Sequence, residues 1–196
     1  MMDFDYPEGA TPLSQDEANE LLLTHITTRD ELNFWEQKNI NEALEWLDRT
    51  KPKDILNEAF VRQLHKKMFG RVWSWAGKFR QREVTIGRPW ERIPEELKQL
   101  FDDVRWWMKH TTYSHDEIGV RFHHRLTLIH PFPNGNGRHA RLMADLLIEN
   151  VLGRPCFTWG GVDLTKKGNS RSRYIQALHT ADNKFEYGSL LDFARS

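Results

Sequence analysis

The sequence predicts an all-α domain carrying one small β element. Three observations point that way. Apolar residues recur at three- to four-residue spacing along most of the chain. Helix starts are marked by residues that cap free amides, as in Ser14 with Glu17 and Thr28 with Glu31. Only the stretch 77–94 breaks the helical period, with Arg and Gln loosely alternating around Val84, Thr85 and Ile86 before Gly87 and Pro89.

The elements follow in order. The first dozen residues hold Pro7, Gly9 and Pro12 and read as an irregular arm. A helix begins after Ser14, followed by an apolar patch at Leu21, Leu22 and Leu23. The capping box at Thr28 opens a second helix, with Leu32, Trp35, Ile40, Ala43, Leu44 and Leu47 at helical spacing. Thr50-Lys51-Pro52 breaks it, because the residue before a proline is disfavoured in the α region. A third helix is predicted from Asp54 to Met68, with Ile55, Phe60, Leu64 and Met68 inward and Gly70 at its end. After the flap at 77–94, Pro94 opens a helix with Glu95 and Glu96 in its favourable first turn and Leu97, Leu100, Phe101, Val104, Trp107 and Met108 inward. Another helix spans Ser114 to Ile129. The loop 130–137 precedes one from about Arg138 to Val151, closed by Gly153-Arg154-Pro155. A glycine-rich loop at Gly160, Gly161 and Gly168 leads to helices near 170–181 and 189–194. The organisation expected is an N-terminal arm with helices over 1–53 and a core over 54–196, in one compact unit. Trp73, Trp75, Trp106 and Trp107 are expected in the core rather than around a ligand.

Charge and cysteine content narrow the partners. Lys plus Arg and Asp plus Glu both number 28, so no positive excess favours nucleic acid or an anionic membrane, although a local basic pocket stays open. Cys156 is the only cysteine, which excludes an intramolecular disulfide and a cysteine-based zinc site. A reducing, cytoplasmic setting is expected. No apolar run reaches membrane-spanning length, and the acidic N-terminus lacks the pattern of a secretory signal.

One segment carries chemistry: His130-Pro131-Phe132-Pro133-Asn134-Gly135-Asn136-Gly137-Arg138-His139-Ala140-Arg141. Its prolines and glycines impose an irregular loop directly before a helix. The first amides of a helix have no intrahelical acceptor, and the helix dipole adds partial positive charge there. Glycines let a ligand approach the backbone. Arg138 and Arg141, three apart, add two guanidinium forks on one helix face. Together they make an anion nest suited to a polyphosphate. His130 stands at the loop entrance as a candidate base, and Asn134 and Asn136 offer amide groups to phosphate or metal. A Walker A loop is excluded, because no Gly-Lys-Ser/Thr follows the glycines. The loose G-x-G-x-x-A match at Gly135–Ala140 is rejected as a dinucleotide fingerprint, since its flanks read as helices. Of the histidine pair His123 and His124, one is expected beneath the loop and the other toward solvent.

This stretch resembles the signature HxFx(D/E)GNGRxxR of the Fic/Doc (Fido) family, and eleven of its twelve positions comply. The resemblance extends over roughly Phe60 to Phe193, and more narrowly the chain is similar to the bacterial subgroup called mobile mystery protein B. It implies the Fic helical fold with a β-hairpin flap. The implied reaction is transfer of AMP from ATP to a Tyr, Thr or Ser hydroxyl of a target protein, with release of pyrophosphate. His130 would then be the base, Phe132 the inward anchor, and Gly135, Asn136 and Gly137 the anion hole. Arg138 and Arg141 would hold the β- and γ-phosphates. The flap residues Thr85, Ile86 and Gly87 would dock a target segment by strand addition. Tyr174 and Asp182 would border the adenine. One position departs: the family's magnesium-holding acid is Asn134 here, so weaker Mg²⁺ binding is expected. A kinase-like transferase or a weakened scaffold are the alternatives this raises. The family also uses an inhibitory [S/T]xxxE(G/N) helix. Thr27 to Glu31 fits the first part, with Leu32 in place of Gly or Asn, but the same Glu31 completes the Thr28 capping box. Without an internal inhibitor, a separate antitoxin protein becomes the expected partner.

Overall fold

The computed structural model describes residues 12–161, 164 and 168–196. The predicted arm, up to residue 11, and part of the glycine-rich loop lie outside them. Helix α1 (Gln15–Asn19) starts on a capping box in which Ser14 accepts the Glu17 amide and Glu17 accepts the Ser14 amide. Helix α2 (Arg29–Thr50) starts on the equivalent box at Thr28 and stops at Lys51, which turns left-handed before Pro52. Helix α3 (Glu58–Phe69) begins later than the sequence predicts. Asn57 caps it by accepting the Phe60 amide at 2.8 Å, so Ile55 and Leu56 enter the core from irregular chain.

The segment after α3 is extended and turning, and no strand pairing forms in residues 77–94. The predicted hairpin is therefore replaced by a flap held through side chains. The isolated bridge between Leu21 and Trp73 lies outside it. Helix α4 (Ile93–His110) carries Pro94 in its first turn, and α5 (His115–Ile129) is capped by Ser114. Helix α6 (Asn136–Leu146) starts two residues before the predicted position and widens into a π turn over Leu147–Val151. Helices α7 (Asn169–Lys184) and α8 (Gly188–Arg195) close the chain.

Helices α5 and α6 form the centre, with α4 and α8 against α5 and α2 against α3. Val120, Phe122, Ile129, Phe132, Ala140, Met143 and Ile148 are buried between them. Trp73 and Trp75 are in this core as expected, but Trp106 is 53% exposed and stacks on His110 across one helical turn. Among the described residues no helix is long and apolar enough to cross a membrane.

The interior also holds histidines. His65, His123 and His139 have no exposed surface, and His124 is buried as well, so neither member of the His123–His124 pair faces solvent. Burial drives His123 and His139 down to about 3 and His65 well below the ordinary histidine range. The unfolded chain binds protons at these sites from about pH 6.5 downward, while the folded chain does so only at much lower pH, near 3 for His123 and His139. Stability is therefore expected to fall as pH drops through that window, with a slope of up to about 1.4 kcal/mol per pH unit for each histidine. Asp145, raised to about 7 by burial, opposes this with one group. Urea midpoints between pH 7 and 4 check the expectation, and a flat profile would contradict it.

Candidate active site

Helix α5 ends where His130 turns left-handed, at φ 54°. The Thr127 carbonyl can only accept, so His130 Nδ1 carries the proton in that 3.2 Å hydrogen bond and the neutral ring keeps its lone pair on Nε2. His130 is only 7% exposed. Burial, with help from the Arg80 and Arg82 charges, lowers its pKa to about 4 against the opposing pull of the Thr127 carbonyl. The ring is therefore a neutral base at neutral pH.

The rest of the loop is locked from inside. Phe132 is fully buried, and the Asn136 side chain closes on its backbone, accepting the Phe132 amide at 2.9 Å and donating to its carbonyl at 2.8 Å. Asn136 thus shapes the loop with its side chain and leaves only its backbone amide for an anion. Gly135 sits at φ 78°, and a β-carbon there would stand 2.7 Å from the Phe69 ring, so both conformation and space require glycine. No side chain caps α6. Its first amides, at Asn136, Gly137 and Arg138, lack intrahelical acceptors, and Arg141 Nη1 lies 3.7 Å from where a Gly137 β-carbon would be. A guanidinium beside open amides is the arrangement that the expected anion nest requires.

His65 supports this loop from below and was not legible as a site residue. It stacks on Phe132 with ring centroids 3.7 Å apart. The Gly77 amide donates to its Nδ1 at 3.0 Å, so Nε2 bears the proton and donates to the Asn134 carbonyl at 3.0 Å.

A cavity of about 190 Å³ opens beside His130, lined by Ile86, Thr127, Leu128, His124, Leu178 and Asp182 among others. Ile86 brings the flap to the same cavity as the base, while Thr85 is exposed. Asp182 accepts from His124 Nε2 at 2.7 Å on the cavity wall. Tyr174 does not join it. Its ring is buried, its hydroxyl meets His123 Nε2 at 2.9 Å, and Arg141 lies over its face at 5.4 Å. Tyr174 supports Arg141 rather than bordering the cavity.

The two arginines diverge. Arg141 makes no ion pair among the described residues, whereas Arg138 pairs with Glu36 Oε2 at 2.8 Å and lies over Phe69. Glu36 is 3% exposed and its other oxygen accepts Trp73 Nε1–H at 2.7 Å. Glu31, the candidate inhibitory glutamate, is exposed and accepts the Thr27 and Thr28 amides at the start of α2. The capping role holds it there, and the carboxylate that meets a signature arginine is Glu36, one turn and a half further along the same helix. A signal for it exists in the sequence, since Glu36 interrupts the inward row Leu32, Ile40, Ala43, Leu47.

The donor set does not fit a protein-held Mg²⁺. Asn134 offers a single neutral oxygen, and that Oδ1 accepts the Gly135 amide at 2.7 Å. Among the described residues no three His, Cys, Asp or Glu side chains group as a metal site.

The sequence profile of the Fic/DOC family matches residues 55–148. Protein adenylyltransferase fic-1 of Caenorhabditis briggsae is 31% identical over 139 residues, covering 69% of this chain and 25% of that protein. Its Caenorhabditis elegans counterpart is 29% identical over 150 residues, covering 74% of this chain and 27% of that one. The chain thus spans about a quarter of the length of these curated relatives. Among solved structures, BepC of Bartonella tribocorum with bound AMPPNP superposes with a TM-score of 0.68 at 19% identity, over 93% of this chain and 97% of that one. A Fic-1 fragment from Caenorhabditis elegans gives 0.67 at 24% identity, over 91% and 51%. These structural likenesses concern the fold, and they agree with the profile match and with the signature loop: the chain carries a Fic/DOC family domain over residues 55–148.

Proposed function

We propose that this chain is a protein adenylyltransferase that moves AMP from ATP to a hydroxyl of a target protein. The observation that carries the reading is the neutral His130, its lone pair on Nε2, standing on the cavity wall at the entrance to the open amides of α6. The target oxygen attacks the α-phosphorus, its proton passes to His130 Nε2, and the bond from that phosphorus to the β-bridging oxygen breaks to release pyrophosphate. The amides of α6 with Arg141, and Arg138 once free of Glu36, neutralise the phosphates. The cavity bounded by Ile86, Leu178 and Asp182 suits a flat base with polar edges, and exposed Thr85 and Ile86 present the flap to a target segment. Any Mg²⁺ arrives on the ATP phosphates. Glu36 supplies an internal restraint on Arg138, and a separate antitoxin protein is the other means by which the site would be held idle.

Labelled ATP tests this in a cell lysate. Label from the α-phosphate on protein supports AMP transfer. Label from the γ-phosphate favours the kinase-like reading that Asn134 raises, and no label with ATP still bound favours a scaffold.

Asn134→Asp is expected to lower the Mg²⁺ concentration that half-saturates transfer and to raise the rate. A carboxylate is a better ligand for a hard cation than an amide oxygen. Nearby arginine charge keeps it ionised. A Mg²⁺ titration of both forms checks this, and identical curves would remove position 134 from any metal role.

A further inference from the structure

Arg80 is the largest charged side chain fully inside the molecule, 2% exposed, with no carboxylate paired to it among the described residues. Its guanidinium instead donates to four backbone carbonyls in two segments. Nε donates to His130 at 2.7 Å and Nη2 to Ile129 at 3.3 Å, both at the C-terminal end of α5. Nη1 donates to Arg82 at 2.8 Å and Nη2 to Arg88, on either side of the flap tip at Thr85 and Ile86. Its own amide donates to Pro131 at 3.0 Å. A buried cation normally needs a counter-ion. Here the last carbonyls of a helix, unsatisfied by the helix itself and at the negative end of its dipole, serve that purpose. The flap is pressed against the same point: a β-carbon on Gly87 would lie 2.7 Å from Arg80 Nη2 and 3.2 Å from the His130 β-carbon.

We propose that Arg80 is a positioning residue that joins the flap and His130 into one unit, so that a target segment seated on the flap is placed against the base. The proposal rests on the reading of His130 as the base and of the flap as the docking segment. It has no need of strand pairing, which the flap lacks. One guanidinium reaches both sides of the flap tip and the turn of His130, and it does so from beneath, leaving Thr85 exposed and Ile86 on the cavity wall.

The test compares Arg80→Lys, which keeps the charge but cannot reach all four carbonyls from one nitrogen, with Arg80→Gln, which also removes the charge. In Arg80→Lys, hydrogen exchange at residues 82–88 is expected to rise while the amides of α5 and α6 stay protected. ATP affinity is expected to hold, and kcat/KM for the target to fall by roughly ten- to a hundredfold, the scale of a misplaced reacting group. NMR titration of the His130 ring gives a readout independent of activity. Among the described residues the groups facing that ring are Arg80 and Arg82 from the flap, His124 from α5, and His179 and Asp182 from α7. Arg80→Gln is expected to move the titration upward and Arg80→Lys to leave it in place. If the Gln form does not fold, the Lys form alone decides through exchange and kinetics. Unchanged flap exchange together with unchanged target kcat/KM in a folded Lys form would overturn the proposal. So would a loss of ATP binding in step with a general loss of protection. If the natural chain transfers no AMP, the reading of the site fails on that result, while exchange and titration still decide whether Arg80 couples the two segments.

Discussion

His130→Ala is expected to lower AMP transfer by about a hundred- to ten-thousandfold, the range a positioned general base contributes. The change removes the group whose Nε2 lone pair takes the target proton, and it leaves the α6 amides and both arginines in place. ATP binding should therefore persist. The stability cost is not negligible, because the residue is largely buried rather than exposed as a loop side chain. The hydrogen bond to Thr127 is lost, at about 1 kcal/mol. Alanine also sits less well than asparagine at a positive φ. His130→Asn is the better control, as it suits the left-handed turn and still lacks a base. In the natural protein the rate should fall as acid protonates the ring near pH 4, and remain level between 5 and 7 as far as this group is concerned. Transfer at full rate in a folded His130→Asn form would rule out the assigned role.

Glu36→Gln is expected to raise ATP affinity by about tenfold or more, the size of a hydrogen bond to a charged group returned to the ligand. The amide keeps an oxygen for Trp73 Nε1, so the packing beneath α2 is conserved, but it releases Arg138 from its ion pair. The released guanidinium stands beside the first turn of α6, where the phosphates are proposed to bind. Combining Glu36→Gln with Arg138→Ala separates the effects: the gain should vanish in the double variant, since its carrier is gone. A gain that survives loss of Arg138 would mean that Glu36 acts by another route. Calorimetry with ATP measures both. Glu31→Gln, by contrast, should alter the start of α2 and leave ATP affinity alone, because that carboxylate holds the Thr27 and Thr28 amides.

The sequence by itself determined the order of the helices, the caps at Ser14 and Thr28 and the irregular loop before α6, because these are local matters. A capping box brings partners three residues apart, as at Thr28 and Glu31, and helical periodicity marks the buried face without reference to distant chain. The proposed anion nest is local too, built from glycines and the unsatisfied amides of the helix that follows them. Tertiary structure decided which side chains the loop works with. Arg138 and Glu36 are 102 positions apart, Arg80 and His130 50, and His65 and Asn134 69, and no spacing rule links such pairs. It also decided the flap, where the Val84-Thr85-Ile86 pattern suggested a hairpin. A strand needs a partner's backbone groups, but there the carbonyls of Arg82 and Arg88 are taken by a guanidinium from inside. Burial made the final selection among the histidines and arginines. A charge left in the interior must find donors or acceptors, and only the folded packing settles which ones are within reach.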